Sequence, residues 1–140
     1  MVVKILTFNL FLILITLSTV LSSKTIFGNA NVIDGDTIHI NKNSKVWNCG
    51  LESTKFLKEL IGNNKIECIT QGKDQYSRFI GICYKDDLDL NSEMVLNGWA
   101  IAYRYYSKDY VEEEEKAKQE KRGIWIGDFV EPYLFRKKNK

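Results

Sequence analysis

The chain of 140 residues predicts a small α+β domain, and three observations carry that prediction. Strand-like and helix-like runs alternate along it, every run is short, and glycine or asparagine separates most of them. Only one long apolar stretch is present, and it lies at the N-terminus.

That stretch runs from Ile5 to Leu21 behind a single charge, Lys4, and is followed by the small residues Ser22 and Ser23. Val20 and Ser22 fit the −3 and −1 positions of a signal-peptidase site. Residues 1–23 are therefore assigned to a signal peptide and residues 24–140 to one domain. An uncleaved anchor is the alternative, although Thr7, Asn9, Thr16 and Ser18 interrupt the run and its length is at the lower limit for a bilayer span. The expected location is outside the cell membrane, secreted or periplasmic, with no stable membrane association after cleavage.

Asn29 to Ile40 reads as a strand, and Asn41–Ser44 as a turn cluster that leaves only Lys45, Val46 and Trp47 for a returning strand. Leu51 to Ile61 has apolar residues at 56, 57, 60 and 61, the spacing of a helix with one buried stripe, and Gly62 ends it. Lys65–Thr70 and Arg78–Tyr84 are strand-like runs around the turn residues Gly72, Lys73 and Asp74. Asn91 can cap a helix through Asn97, stopped by Gly98. Trp99 to Tyr105 is aromatic and apolar enough for a strand. Ser107 or Asp109 caps a last helix to about Arg122, with Tyr110, Val111, Glu114, Ala117 and Lys121 at helical spacing, before Gly123.

Without Lys4 the chain carries 19 basic and 18 acidic residues, so net charge does not announce a nucleic-acid binder. The acidic block Glu112–Glu115 and the basic tail Arg136, Lys137, Lys138 and Lys140 read as a solvated helix face and a frayed terminus. Three cysteines in an exported chain permit one disulfide. A hairpin over residues 65–84 sets Cys68 opposite Cys83, which pairs them and leaves Cys49 over.

Val32-Ile33-Asp34-Gly35-Asp36-Thr37-Ile38 places two carboxylates on one face of an apolar strand, about 6.6 Å apart. Such a pair needs a cation or hydrogen-bond donors to compensate it, and an oxygen-preferring metal ion would do so. A polar hairpin edge with an Asp-Gly turn is the alternative.

Together with this strand, Asp74-Gln75-Tyr76-Ser77-Arg78-Phe79 resembles the second signature of the staphylococcal nuclease family. Asp89-Leu90-Asn91, Val95, Gly98, Ala102-Tyr103, Tyr110, Glu114, Ala117, Gly123-Ile124-Trp125, Phe129 and Pro132 follow in the family's order. The resemblance covers about Asn31 to Arg136. It implies an OB-fold-type small β-barrel with about three packed helices and a calcium-dependent hydrolysis of DNA or RNA phosphodiesters by a monomer. It assigns Asp36 to the calcium site with Asp34 beside it, Arg78 to catalysis, and Tyr76, Tyr103 and Tyr105 to packing against the nucleotide.

One part of the family pattern is missing. After the first strand the family carries a segment of the form Arg-Leu-x-Gly-Ile-Asp-Ala-Pro-Glu, which supplies an arginine, a second calcium aspartate and the catalytic glutamate. Here the sequence passes from Ile40 to Val46-Trp47-Asn48-Cys49-Gly50, so the barrel is expected to be shortened by one strand. The family's exported members often hold a cysteine in that region that pairs with the Cys49 position, which accounts for the leftover Cys49. Ser77 stands where the family has glycine, and Gln75 where it has a basic residue. Losing one charge-stabilising donor costs ~10²–10³-fold in rate, and losing a general base ~10²–10⁴-fold. The expectation is a nuclease relative of weak or lost activity; the alternative is a non-catalytic domain binding nucleic acid or another partner on the same face. His39 reads as a surface residue, and Trp47, Trp99 and Trp125 as core anchors.

Overall fold

The computed structural model describes residues 23–29, 39–42, 45–105 and 107–138. Asp34 and Asp36, like the apolar N-terminal segment, lie outside them. Strand β1 (Thr25–Asn29) comes first, then the strands β2 (His39–Lys42) and β3 (Lys45–Asn48) and the helix α1 (Cys49–Ile61). Strands β4 (Lys65–Lys73), β5 (Phe79–Lys85) and β6 (Leu88–Asp89) follow, with helices α2 (Leu90–Leu96), α3 (Val111–Gln119) and α4 (Pro132–Lys138). The α+β class is the one expected. No helix among the described residues is long and apolar enough to cross a membrane.

The strands form an antiparallel sheet in the order β1-β4-β5-β6 and a separate β2-β3 hairpin. The returning strand β3 is short, four residues, and pairs His39 with Asn48 through Lys42 with Lys45. Strands β4 and β5 carry the expected disulfide. Cys68 and Cys83 are direct partners in the β4–β5 register and are covalently joined, while the buried Cys49 takes no part in the bridge.

Helix α1 starts two residues before Leu51, and Gly62, at φ +60°, ends it with its N–H donating to Lys58 O at 2.9 Å. Three other boundaries differ from expectation for identifiable reasons. Asp89, not Asn91, caps α2: Ser92 N–H donates to Asp89 Oδ1 at 3.0 Å. Asn91 instead ties the helix to the sheet, its Oδ1 accepting from Cys83 N at 3.1 Å. Trp99 to Tyr105 is not a strand, because its backbone donors are used elsewhere. Trp99 and Ala100 N–H donate to Met94 O, and Ala102 N–H donates to the Glu114 carboxylate. Helix α3 closes early in a Schellman turn, with Arg122 N–H on Ala117 O (2.9 Å) and Lys121 N–H on Lys118 O (3.1 Å). The left-handed residue of that turn is Lys121, at φ +51°, in place of the usual glycine. The basic terminus also differs: Pro132–Lys138 is helical.

The core is small. Cys49, Ile61, Leu90, Val95, Ala102, Ala117 and Ile124 are buried, and Trp47, Trp99, Trp125 and Phe129 pack against Cys49 and Ile124. Trp47 and Trp99 meet edge to face with centroids 6.0 Å apart. The tryptophans are core anchors, as the sequence suggests.

Gly98 and Gly123 let two backbones touch. Both have positive φ (72° and 48°), and Ile124 N–H donates to Gly98 O at 2.9 Å. A Cβ at Gly98 would overlap the Arg122 carbonyl, and one at Gly123 would overlap Gly98 O. Gly98→Ala combines left-handed strain with a backbone clash and is expected to cost about 3 kcal/mol. Urea denaturation monitored by tryptophan fluorescence measures it; a loss below about 1 kcal/mol would contradict the close approach.

Candidate functional site

The tip of the β4–β5 hairpin is organised by one carboxylate. Asp74 Oδ1 accepts from Tyr76 N–H (2.8 Å) and Arg78 N–H (2.9 Å), while Oδ2 accepts from Arg78 Nε at 2.6 Å. The main chain closes the same turn, with Asp74 N–H on Arg78 O and Ser77 N–H on Asp74 O. An aspartate suits this place because its short side chain reaches N–H groups two and four residues on. Partial burial pushes the Asp74 carboxyl up, but the hydrogen bonds from Arg78 and Tyr76 outweigh it and hold it below the ordinary 3.8.

The turn presents Arg78 and Tyr76 outward. Their side chains are largely exposed, and the guanidinium lies 5.3 Å from the Tyr76 ring centroid. Only Nε is committed to Asp74, so the terminal N–H groups keep the fork geometry that suits a phosphate.

Tyr103 and Tyr105 form a second pair in the loop between α2 and α3. Their rings are tilted with centroids 6.2 Å apart, and Tyr105 is 77% exposed. Glu114 holds this loop from below. It is 1% exposed and accepts from Ala102 N–H at 3.1 Å, from Arg104 and from Lys118 Nζ at 3.1 Å. Arg104 reaches Glu115 as well, and its bonds to Glu114 first and Glu115 second raise its already high pKa. Of the acidic block read as solvated, Glu114 is the exception. The available sequence signal was its place on the Tyr110–Ala117 helix face. Tyr110 is a packing residue: its hydroxyl donates to Asp89 Oδ2 at 3.1 Å, and burial followed by the Asp89 charge pushes it far up.

The structure thus brings Arg78 to Tyr76 and Tyr103 to Tyr105, and joins Cys68 to Cys83. Asp34 and Asp36 lie outside the described residues. Sequence reasoning noted Asp74 as a turn and signature residue but missed that it organises the site. The i, i+2 and i, i+4 spacing to Tyr76 and Arg78 was the signal.

A model of the family described as staphylococcal nuclease homologue matches residues 31–127, most of the chain. The chain belongs to the staphylococcal nuclease family. Its small sheet with packed helices is accordingly the OB-type α+β fold of that family. It is 31% identical to an uncharacterized endonuclease of Haemophilus influenzae, over 98% of this chain and 87% of the relative. It is also 25% identical to a micrococcal nuclease of Shigella flexneri, over 78% of this chain and 79% of the relative. A probable staphylococcal-like nuclease of rice, Oryza sativa, shares 31% identity over 63% of this chain, which spans only 24% of that longer protein. The Haemophilus comparison runs over 155 positions, 15 more than the chain has residues, so at least that many positions of the relative have no counterpart here.

Two outcomes follow from the hairpin tip. Ser77 takes φ +62°, a conformation that glycine enters without a Cβ penalty. Ser77→Gly is expected to stabilise the protein by about 0.5–1 kcal/mol, raising the thermal midpoint; a lowered midpoint would contradict a relaxed glycine turn. The depressed Asp74 carboxyl contributes stability that is present above its unfolded value of 3.8 and is lost as pH falls through its lower folded value. Amide resonances of Tyr76 and Arg78 should therefore share an acid midpoint below 3.8, and a midpoint above that would remove the hydrogen bonds from the explanation.

Proposed function

We propose that the protein is an exported nucleic-acid-binding member of the staphylococcal nuclease family whose phosphodiester hydrolysis is weak. The observation that carries this reading is the Asp74-held pair Arg78 and Tyr76 at the β4–β5 tip. A guanidinium binds phosphate, and an exposed tyrosine face stacks on a base. Tyr103 and Tyr105 offer further aromatic surface. Relatives named as nucleases support nucleic acid as the polymer that the fold acts on.

Weak hydrolysis follows from what the chain lacks. The family's arginine, second calcium aspartate and glutamate have no match between Ile40 and Val46, and the surplus of positions in the Haemophilus relative supports a deletion. Calcium takes about six to eight oxygen ligands. Asp34 and Asp36 supply two carboxylates, and no group of three His, Cys, Asp or Glu side chains able to hold a metal comes together among the described residues. The donor set does not fit a complete calcium site, so no step is routed through that ion. Arg78 can still bind and polarise a phosphate, but no residue assigned here activates water. Export rests on the apolar run Ile5–Leu21 and its small-residue boundary.

Incubation with single-stranded DNA and RNA, in calcium and in chelator, tests the reading. Binding should weaken with added salt, and cleavage should be at least ~100-fold slower than that of a relative with the full segment. Rapid calcium-dependent cleavage that Arg78→Ala abolishes would overturn it.

A further inference from the structure

We propose that a second single-strand contact lies beside the Arg78–Tyr76 pair, on Phe79 with Lys73 and Lys24, and takes a base and the phosphates flanking it. The inference rests on the nucleic-acid reading above and extends it to residues that nothing in the family pattern assigns.

Phe79 opens β5 and is directly opposite Lys73, the last residue of β4. Phe79 is 52% exposed. Two ammonium groups lie over the Phe79 ring: Lys73 Nζ is 4.7 Å from its centroid and Lys24 Nζ 5.7 Å. Neither lysine is paired with a carboxylate among the described residues, whereas Arg78 is paired with Asp74. The ring and the lysines border an open groove of about 450 Å³, also lined by Thr70 and Gln71.

The groove is held in place from both sides. Lys24 N–H donates to the Thr70 hydroxyl at 3.1 Å, and that hydroxyl and Thr70 N–H both donate to Lys24 O at 2.7 and 3.0 Å. This lock fixes the Lys24 backbone against β4, within side-chain reach of Phe79. A base stacking on Phe79 would move these cations from over the ring to the phosphates on either side: rings stack bases without regard to sequence, and lysines meet the backbone charge. An acidic peptide would satisfy the lysines but leave the ring without a stacking partner.

Arg78 belongs to the turn and Phe79 to β5, and Arg78 does not line the groove beside Phe79. A strand using both contacts therefore bends over the end of the hairpin. That geometry predicts a length threshold. A dinucleotide occupies the Arg78–Tyr76 pair alone, and only a longer oligonucleotide also reaches Phe79.

Fluorescence anisotropy with labelled oligo(dT) of two and of ten residues tests the proposal on the purified protein. Phe79→Leu and Lys73→Gln, made singly, should each weaken decamer binding about fivefold or more and leave dinucleotide binding unchanged. Lys73→Gln should also flatten the decamer's salt slope by ~0.7, the contribution of one phosphate, and Lys73→Arg should restore it. Arg78→Ala should weaken both oligonucleotides. Decamer binding that Arg78→Ala weakens but Phe79→Leu and Lys73→Gln leave intact would overturn the second contact while keeping the nucleic-acid reading. No binding of either oligonucleotide by the unaltered protein would overturn both. Circular dichroism of each variant separates a lost contact from a lost fold.

Discussion

The register of the β4–β5 hairpin is the constraint on which the described structure depends. With Cys68 opposite Cys83, the two strands are fixed to one pairing that a slip of a single residue would abolish. Strand β1 pairs with β4 and β6 with β5, so both outer strands inherit that register. Helix α2 inherits it through Asn91, whose amide oxygen accepts from Cys83 N–H. At the far end the register, shifted by one residue at a bulge, aligns Lys73 with Phe79 and closes the turn in which Asp74 gathers Tyr76 and Arg78. The bulge between Thr70 and Gly72 lies just before that end, where added local twist is compatible with a sharp turn.

A second constraint is polar and buried. Few of the described residues are fully enclosed, and one of them is a carboxylate, Glu114. A buried charge is tolerable only when it is hydrogen-bonded and paired. Glu114 meets both conditions with Ala102 N–H, Arg104 and Lys118. It thereby fixes a loop that has no sheet to join. Around it, Asp89 serves as helix cap and as acceptor for Tyr110, so α2 and α3 share a polar seam as well as an apolar one. Small domains have limited apolar area to bury, and here such hydrogen bonds supplement a modest core.

The chemistry of the site divides along the same line. The phosphate recognition proposed above would use the hairpin tip, where a carboxylate organiser, a guanidinium and an aromatic face come together. Water activation belongs in the family to a segment absent between Ile40 and Val46. Binding and turnover are separable physical demands. A fold can therefore retain the first while losing donors that act only on the transition state.

The sequence by itself determined the class, the family and the hairpin. Periodicity located α1 and β4–β5, turn residues located the tip, and folding that segment as a hairpin set Cys68 opposite Cys83. Local signals suffice for these because each depends on neighbours in the chain. The tertiary structure decided what depends on partners far along it. Trp99–Tyr105 has strand composition, but its N–H groups went to Met94 and Glu114, so no ladder formed. Glu114 sits in a run of four glutamates, and only its contact with Ala102 and Arg104 separates a buried clamp from a solvated face. Asn91 and Asp89 are both good cap residues, and the Cys83 N–H claimed the first and left the cap to the second. Lys24 and Lys73 are 49 positions apart in sequence, and only sheet pairing put both ammonium groups against Phe79. Composition states which groups can form hydrogen bonds and ion pairs, whereas three-dimensional packing chooses among equally capable partners.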